Sequence, residues 1–317
     1  MIYIIIIAVL ILSLLIHKKE TFNNKIIKKN HKNTTFSSSI KENNTYKKKL
    51  IILTNGGIGN RLSFISNIYE KANKLKRKVY IYWTVNRSLK CHYNKLFSEP
   101  KLNMINNIDS NINVYYIHKT NIKHFKMIKN NNKYPITKIN DDKNDVVCVA
   151  DFIENKSNDL LKIIKPSNIV KKQIDNFFSK NKKIIGIHIR CSDRFNCLKQ
   201  PLLNNIKKTI HDIHNKYPEY LLFLATDDVE IRNILKKIYR KKIITSNIKL
   251  LKNKNFDISK STNPLRNTEQ GIIDSVVDLF CLSYCQKLIG FKISTFFYSA
   301  VEMSNLKKED VYYIPLE

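Results

Sequence analysis

The residues best placed to do chemistry close an apolar run, KKIIGIHIRCSDR at 182–194, where His188, Arg190 and Asp193 follow a series of isoleucines. Along an extended chain side chains alternate, so Ile185, Ile187 and Ile189 share one face and Gly186, His188 and Arg190 the other. A guanidinium there suits a phosphate, because its planar fork grips oxyanions through two parallel N–H bonds. Gly186 removes bulk beneath the polar pair and leaves room for a ligand to approach. An ion pair between Arg190 and Asp193 is the plainer alternative, and this stretch alone does not choose between them.

Three other segments combine polar groups with element ends. NGGIGNRLSFI, 55–65, joins a strand to a helix, and its glycines would let backbone N–H groups approach an anion at the helix start. Asn60 can both donate to and accept from a ligand, and Arg61 completes the motif. The stretch is no nicotinamide fingerprint: Leu62 holds the third glycine position, and VYIYWTV at 79–85 ends without the acidic residue that would hold a ribose. FLATDDVEIR, 223–232, ends a strand in Asp227, positioned to accept from a base or sugar, and Asp228, suited to cap the following helix. Adjacent aspartates without a matching His or third carboxylate do not make a metal site. The fourth segment, 267–304, carries Asp274 and Asp278 one helical turn apart, away from a core stripe of Ile272, Val276, Phe280 and Tyr284. Ser294 and Thr295 then open the next helix, as phosphate-binding hydroxyls or as caps.

Alternating strands and helices must position these groups. Strands are predicted at 50–55, 79–85 and 146–153, with a helix at 61–75 between the first two. The Asn-rich region 90–145 has poor periodicity and reads as an insertion. Beyond Pro166 the pattern is regular: helices at 167–180, 201–216, 229–240, 269–286 and 294–304 alternate with strands at 184–190, 220–227, 242–246 and 287–291, and VYYIP closes the chain. Such alternation predicts an α/β fold with parallel sheets covered by helices, divided as 49–165 and 166–317 around a cleft.

Of the 317 residues, 43% are hydrophobic, enough for a sizeable core, while the formal charge is +30. Lysines are spread along the whole length, and no basic ladder interleaved with aromatics marks a nucleic-acid groove. Residues 1–17, MIYIIIIAVLILSLLIH, reach the lower length limit of a membrane span, about 17 residues, and lack the basic start and small-residue cleavage site of a signal peptide. They are expected to be a single-pass anchor, with 18–48 as a polar stem. Lys18 and Lys19, with nothing basic before the span, would place the body on the cytosolic side, but the side stays open. The six cysteines show no C-x-x-C pair and are expected to be buried or free thiols.

Taken in order, GGIGNR, HIRCSD, ATDD and DLFCLSYC…GFKISTF resemble the fucosyltransferase superfamily, which includes α1,6-, α1,2- and protein O-fucosyltransferases. The likeness covers roughly residues 50–317, with 90–145 unmatched. It implies a GT-B-like fold of two Rossmann-like domains, a GDP-fucose donor held mainly by the C-terminal one, and inverting transfer without a metal or other cofactor. It implies that Arg190 grips the donor β-phosphate, with His188 and Asp193 as its motif neighbours; it leaves the general base unassigned, and Asp193 is a candidate for that role. It further implies that Asn60, Arg61, Asp227, Asp228, Asp278, Ser294 and Thr295 line the substrate site, Asp278 on the guanine side. Two departures stand out: Cys191 occupies the place of a second arginine, and a later carboxylate has no counterpart at Asn196, Cys197 or Leu198. The alternatives are a transferase of another nucleotide sugar and a basic membrane-tethered binder of nucleic acid or lipid.

Overall fold

A computed structural model describes residues 48–86, 88–98, 103–107, 113–116, 134–135, 146–150, 164–178, 183–191, 196–246, 250 and 268–317. The expected anchor and stem lie outside this set, apart from Lys48. Among the described residues no helix is long and apolar enough to cross a membrane.

The first half builds a parallel sheet. Strand β1 (Lys48–Thr54) runs through an apolar stretch with five consecutive buried residues, as suits a strand covered on both faces. It leads into helix α1 (Ile58–Lys74) and then strand β2 (Arg77–Trp83). A short helix, α2 (Tyr93–Leu96), is followed by β3 (Asn103–Ile105), β4 (Asn113–Tyr116), β5 (Tyr134–Pro135) and β6 (Val146–Ala150). The order is β3-β2-β1-β6-β4-β5. The region expected to be an insertion therefore supplies three strands. They are two to four residues long and sit at the two ends of the sheet. Strands that short carry almost no alternation to detect.

The second sheet uses the longer apolar runs. Helix α3 (Asn168–Phe178) precedes β7 (Ile184–Ile189), followed by α4 (Leu202–Lys216), β8 (Leu221–Thr226), α5 (Val229–Tyr239) and β9 (Ile243–Ile244). Helix α6 (Glu269–Ser283), β10 (Lys287–Gly290), α7 (Thr295–Met303) and β11 (Val311–Tyr313) complete it. The order β11-β10-β7-β8-β9 is parallel throughout and grows outward from β7 in both directions. Connections thus leave opposite sides of β7, and the crevice between the ends of β7 and β10 is where ligands bind in sheets of this kind. The first sheet reverses in the same way between β1 and β6.

One face of the second sheet, with Ile185, Ile187 and Ile189, packs under α4 and α5 through Leu202, Ile206, Ile210, Ile231 and Leu235. Each such fully buried aliphatic side chain contributes about 1.5–3 kcal/mol. The other face joins a core that also includes Leu50, Ile52, Leu62 and Phe64 of the first half, with residues of α3, α6 and α7. Residues 45–317 accordingly form one compact unit. Helix α6 is buried on nearly every side from Ile272 to Ser283, so its core is broader than a stripe. Tyr284, expected in that stripe, lies just past the helix end at its C-cap and is 47% exposed. Gly186 also differs from expectation. A Cβ there would meet Leu288, Cys285 and Leu282 within 3.0 Å, so the missing side chain admits core residues rather than a ligand.

Candidate functional site

The turn between β1 and α1 is stapled by Arg61. Its Nε donates to Gly56 O at 2.8 Å, Nη1 to Thr84 O at 2.6 Å and Thr54 Oγ1 at 3.3 Å, and Nη2 to Asn86 Oδ1 at 3.3 Å. The guanidinium also lies 4.8 Å from the Trp83 ring centroid. With 0% exposure it cannot meet a substrate, which corrects its expected binding role: Arg61 fixes the turn from beneath. Asn86 extends the network by donating to Asn55 Oδ1 at 2.8 Å. Gly56 takes φ 79°, a conformation that favours glycine.

The turn so fixed is pressed against the start of α7. A Cβ on Gly59 would fall 2.6 Å from Phe296 N and 2.8 Å from the Thr295 carbonyl carbon. That glycine lets two helix N-termini touch, where the sequence suggested room for an anion. Beside it Thr295 Oγ1 donates to Asn60 Oδ1 at 2.7 Å, joining residues 235 positions apart. Asn60 and Thr295 both stay partly exposed. Ser294 does not: it is 8% exposed, and its hydroxyl accepts from Phe297 N as the N-cap of α7. Its expected phosphate contact gives way to capping, which satisfies an otherwise orphaned amide.

His188 ties this junction to the ends of β7 and β8. Its ring stacks on Phe296 with centroids 5.0 Å apart and planes 23° apart. Burial lowers its pKa to about 3, helped by the charge of Arg190 and opposed by that of Asp227, so the imidazole is neutral at ordinary pH. Its Nδ1 is buried and has no hydrogen-bond partner among the described residues. Arg190 and Asp227, one step beyond their strands, are partly exposed and close enough to His188 to act on its charge. Asp227 Oδ1 accepts from Cys191 N at 2.8 Å. His188 thus links two groups drawn from all four motifs: Asn60 and Thr295, reached through its stack on Phe296, and Arg190 and Asp227 at the ends of β7 and β8.

Other predicted site residues stand elsewhere. Asp228 is 5% exposed and caps α5, accepting from Glu230 N at 2.8 Å and Ile231 N at 2.9 Å, so its expected substrate contact is corrected to a structural one. Asp278 is buried in α6, where desolvation raises its pKa to about 7 against the pull of a Ser246 hydrogen bond and the Arg232 charge. Its Oδ1 finds no partner among the described residues. Asp193 lies outside the described residues. The expectation of free thiols fails at one pair: Cys191 and Cys197 form a disulfide, six residues apart and buried under α4. Cys91, Cys281 and Cys285 are free and buried. Among the described residues no cluster of His, Cys, Asp and Glu could hold a metal ion.

Neither a family model nor a curated protein matches the chain by sequence. By structure, its fold is similar to that of several solved fucosyltransferases. The fucosyltransferase NodZ from Bradyrhizobium matches with a TM-score of 0.57 at 14% identity, over 80% of this chain and 92% of that one. NodZ alpha-1,6-fucosyltransferase soaked with GDP-fucose gives 0.56 at 14%, over 81% and 93%. POFUT1 in complex with GDP-fucose gives 0.53 at 9%, over 85% and 98%.

Proposed function

We propose that the protein is a glycosyltransferase that moves fucose from GDP-fucose to a glycan or glycoconjugate acceptor. One observation carries this reading: the Asn60–Thr295 contact and the His188–Phe296 stack link the partly exposed Arg190 and Asp227 to Asn60 and Thr295. Its fold likeness to proteins solved with GDP-fucose, one soaked with it and one in complex with it, points to the same ligand. The two parallel sheets then act as Rossmann-like halves of a GT-B-like enzyme, 49–165 on the acceptor side and 166–317 on the donor side.

In the proposed reaction an acceptor hydroxyl oxygen attacks the anomeric carbon from the face opposite the diphosphate. The bond to the phosphate oxygen breaks and its electron pair leaves with GDP, inverting the anomeric centre. Negative charge grows on the β-phosphate, and a fixed guanidinium stabilises it more in the transition state than in the ground state. Arg190 fills that role without a metal. Neutral His188 shapes the wall behind it, and Thr295 with Asn60 offers polar contacts at the rim. Asp193 is the candidate to take the acceptor proton.

Thermal-shift titration with GDP-fucose, followed by transfer assays with and without a chelator, tests this proposal. Stabilisation by GDP-fucose and transfer that survives chelation support it. A response to UDP- or dTDP-sugars alone would move the donor assignment. No nucleotide-sugar response, with salt-sensitive nucleic-acid binding, would replace it by the binder alternative. The anchor at 1–17 belongs to the same proposal and is tested by whether the full chain, but not a chain starting at residue 45, partitions with membranes.

A further inference from the structure

Arg190 is the first residue beyond β7, where the sheet's ladder no longer holds the chain, and the backbone after it is fastened twice. The Cys191 amide donates to Asp227 Oδ1 at the tip of neighbouring β8, at 2.8 Å. The Cys191 sulfur is bonded to Cys197, closing a ring of residues 191–197. Both cysteines sit in the apolar layer with Leu202, Ile206 and Ile189, at 4% and 1% residue exposure. Alternation then sends Cys191 and Ile189 to that layer and His188 and Arg190 to the opposite face. A residue just past a strand end ordinarily opens easily and must be ordered when a ligand binds. Here a covalent bond on one side and a carboxylate on the other remove much of that freedom beforehand.

We infer that Cys191, Cys197 and Asp227 are positioning residues for Arg190, holding the backbone that presents its guanidinium to the donor diphosphate. This rests on the proposed function. The disulfide acts through the arginine and touches no substrate. Its loss therefore weakens donor binding only while Arg190 is there to be positioned.

GDP affinity measured by titration calorimetry on four full-length proteins tests the inference: the unmodified chain, C191A/C197A, R190A and the triple variant, each checked by thermal melting. Removing the disulfide is expected to weaken GDP binding about tenfold when Arg190 is present and to change it less than about twofold in the R190A background. Asp227→Ala keeps the disulfide and is expected to show the same dependence on Arg190. This second series decides the matter if C191A/C197A does not fold. An equal loss in both backgrounds, or no loss at all, overturns the inference. If the folded, unmodified chain binds no GDP, the proposed function itself fails, a result visible before any variant is made.

Discussion

Gly59→Ala tests how closely the two helix starts must meet. Its Cβ would sit 2.6 Å from Phe296 N, 0.8 Å short of the 3.4 Å at which ordinary contact begins, and its near neighbours are all backbone. No side-chain rotation relieves that overlap, so the start of α7 must retreat. A retreat of that size would carry the 2.7 Å Thr295–Asn60 bond to about the 3.5 Å limit of a useful hydrogen bond. Overpacking costs about 1–3 kcal/mol and the lost hydrogen bond about 0.5–1.5 kcal/mol. Replacing a helical glycine by alanine returns at most about 1 kcal/mol, less so near a helix end. The net expectation is a destabilisation of about 0.5–4.5 kcal/mol by urea unfolding, accompanied by weaker GDP binding. Gly57→Ala is the control: a Cβ there meets nothing within 4 Å, and Gly57 does not share the positive φ of Gly56. It should be neutral or stabilise by up to about 1 kcal/mol. If Gly59→Ala proves as stable as Gly57→Ala, the close junction of α1 and α7 is refuted.

Arg61→Lys places a point charge where a fork serves four acceptors, so urea unfolding should show a loss of about 3 kcal/mol or more; a loss below about 1 kcal/mol would contradict the staple. Asp228→Ala should cost about 0.5–2 kcal/mol, as a lost cap does, with GDP affinity unchanged, and reduced affinity would return this residue to the site. Asp278 and His188 give opposite pH dependences. Asp278 has a raised folded pKa, so its stabilising effect is full below about pH 4 and lost as pH rises through about 7. His188 has a lowered one, so the protein gains stability as pH rises from about 3 to the ordinary histidine value. Asp278→Asn should remove the first effect, making stability climb between about pH 4 and 7 relative to the unmodified chain, by up to about 1.4 kcal/mol per unit. Parallel pH profiles of the two proteins would show that Asp278 is not the group involved.

The second sheet was legible because its strands are long apolar runs, each closed by a polar tip: IIGIHI before Arg190, and LLFLAT before Asp227. Those tips carry the polar groups Arg190 and Asp227, which the structure leaves partly exposed at the strand ends. What the sequence could not show is how each neighbouring residue spends its hydrogen bonds. Arg61, Asp228 and Ser294 carry groups suited to a ligand, yet the adjoining backbone claims all three. Gly59 and Gly186 signal close approach, but the partner is another helix or the core, set by contacts more than a hundred positions away or by α6 packing. The strands β3, β4 and β5 stayed hidden because two to four residues in an Asn- and Lys-rich setting hold no period. The Cys191–Cys197 bond had no distinctive spacing to announce it.

The most direct measurement compares GDP-fucose binding by the unmodified chain and by Arg190→Ala, with melting curves as the check on folding. The expected outcome is binding by the first and a loss of about a hundredfold or more in the second, with little change in melting, since a charge-assisted contact to phosphate is removed while the core is untouched. Equal affinities in the two proteins, or no binding by either while both are folded, would contradict a donor diphosphate held at the end of β7.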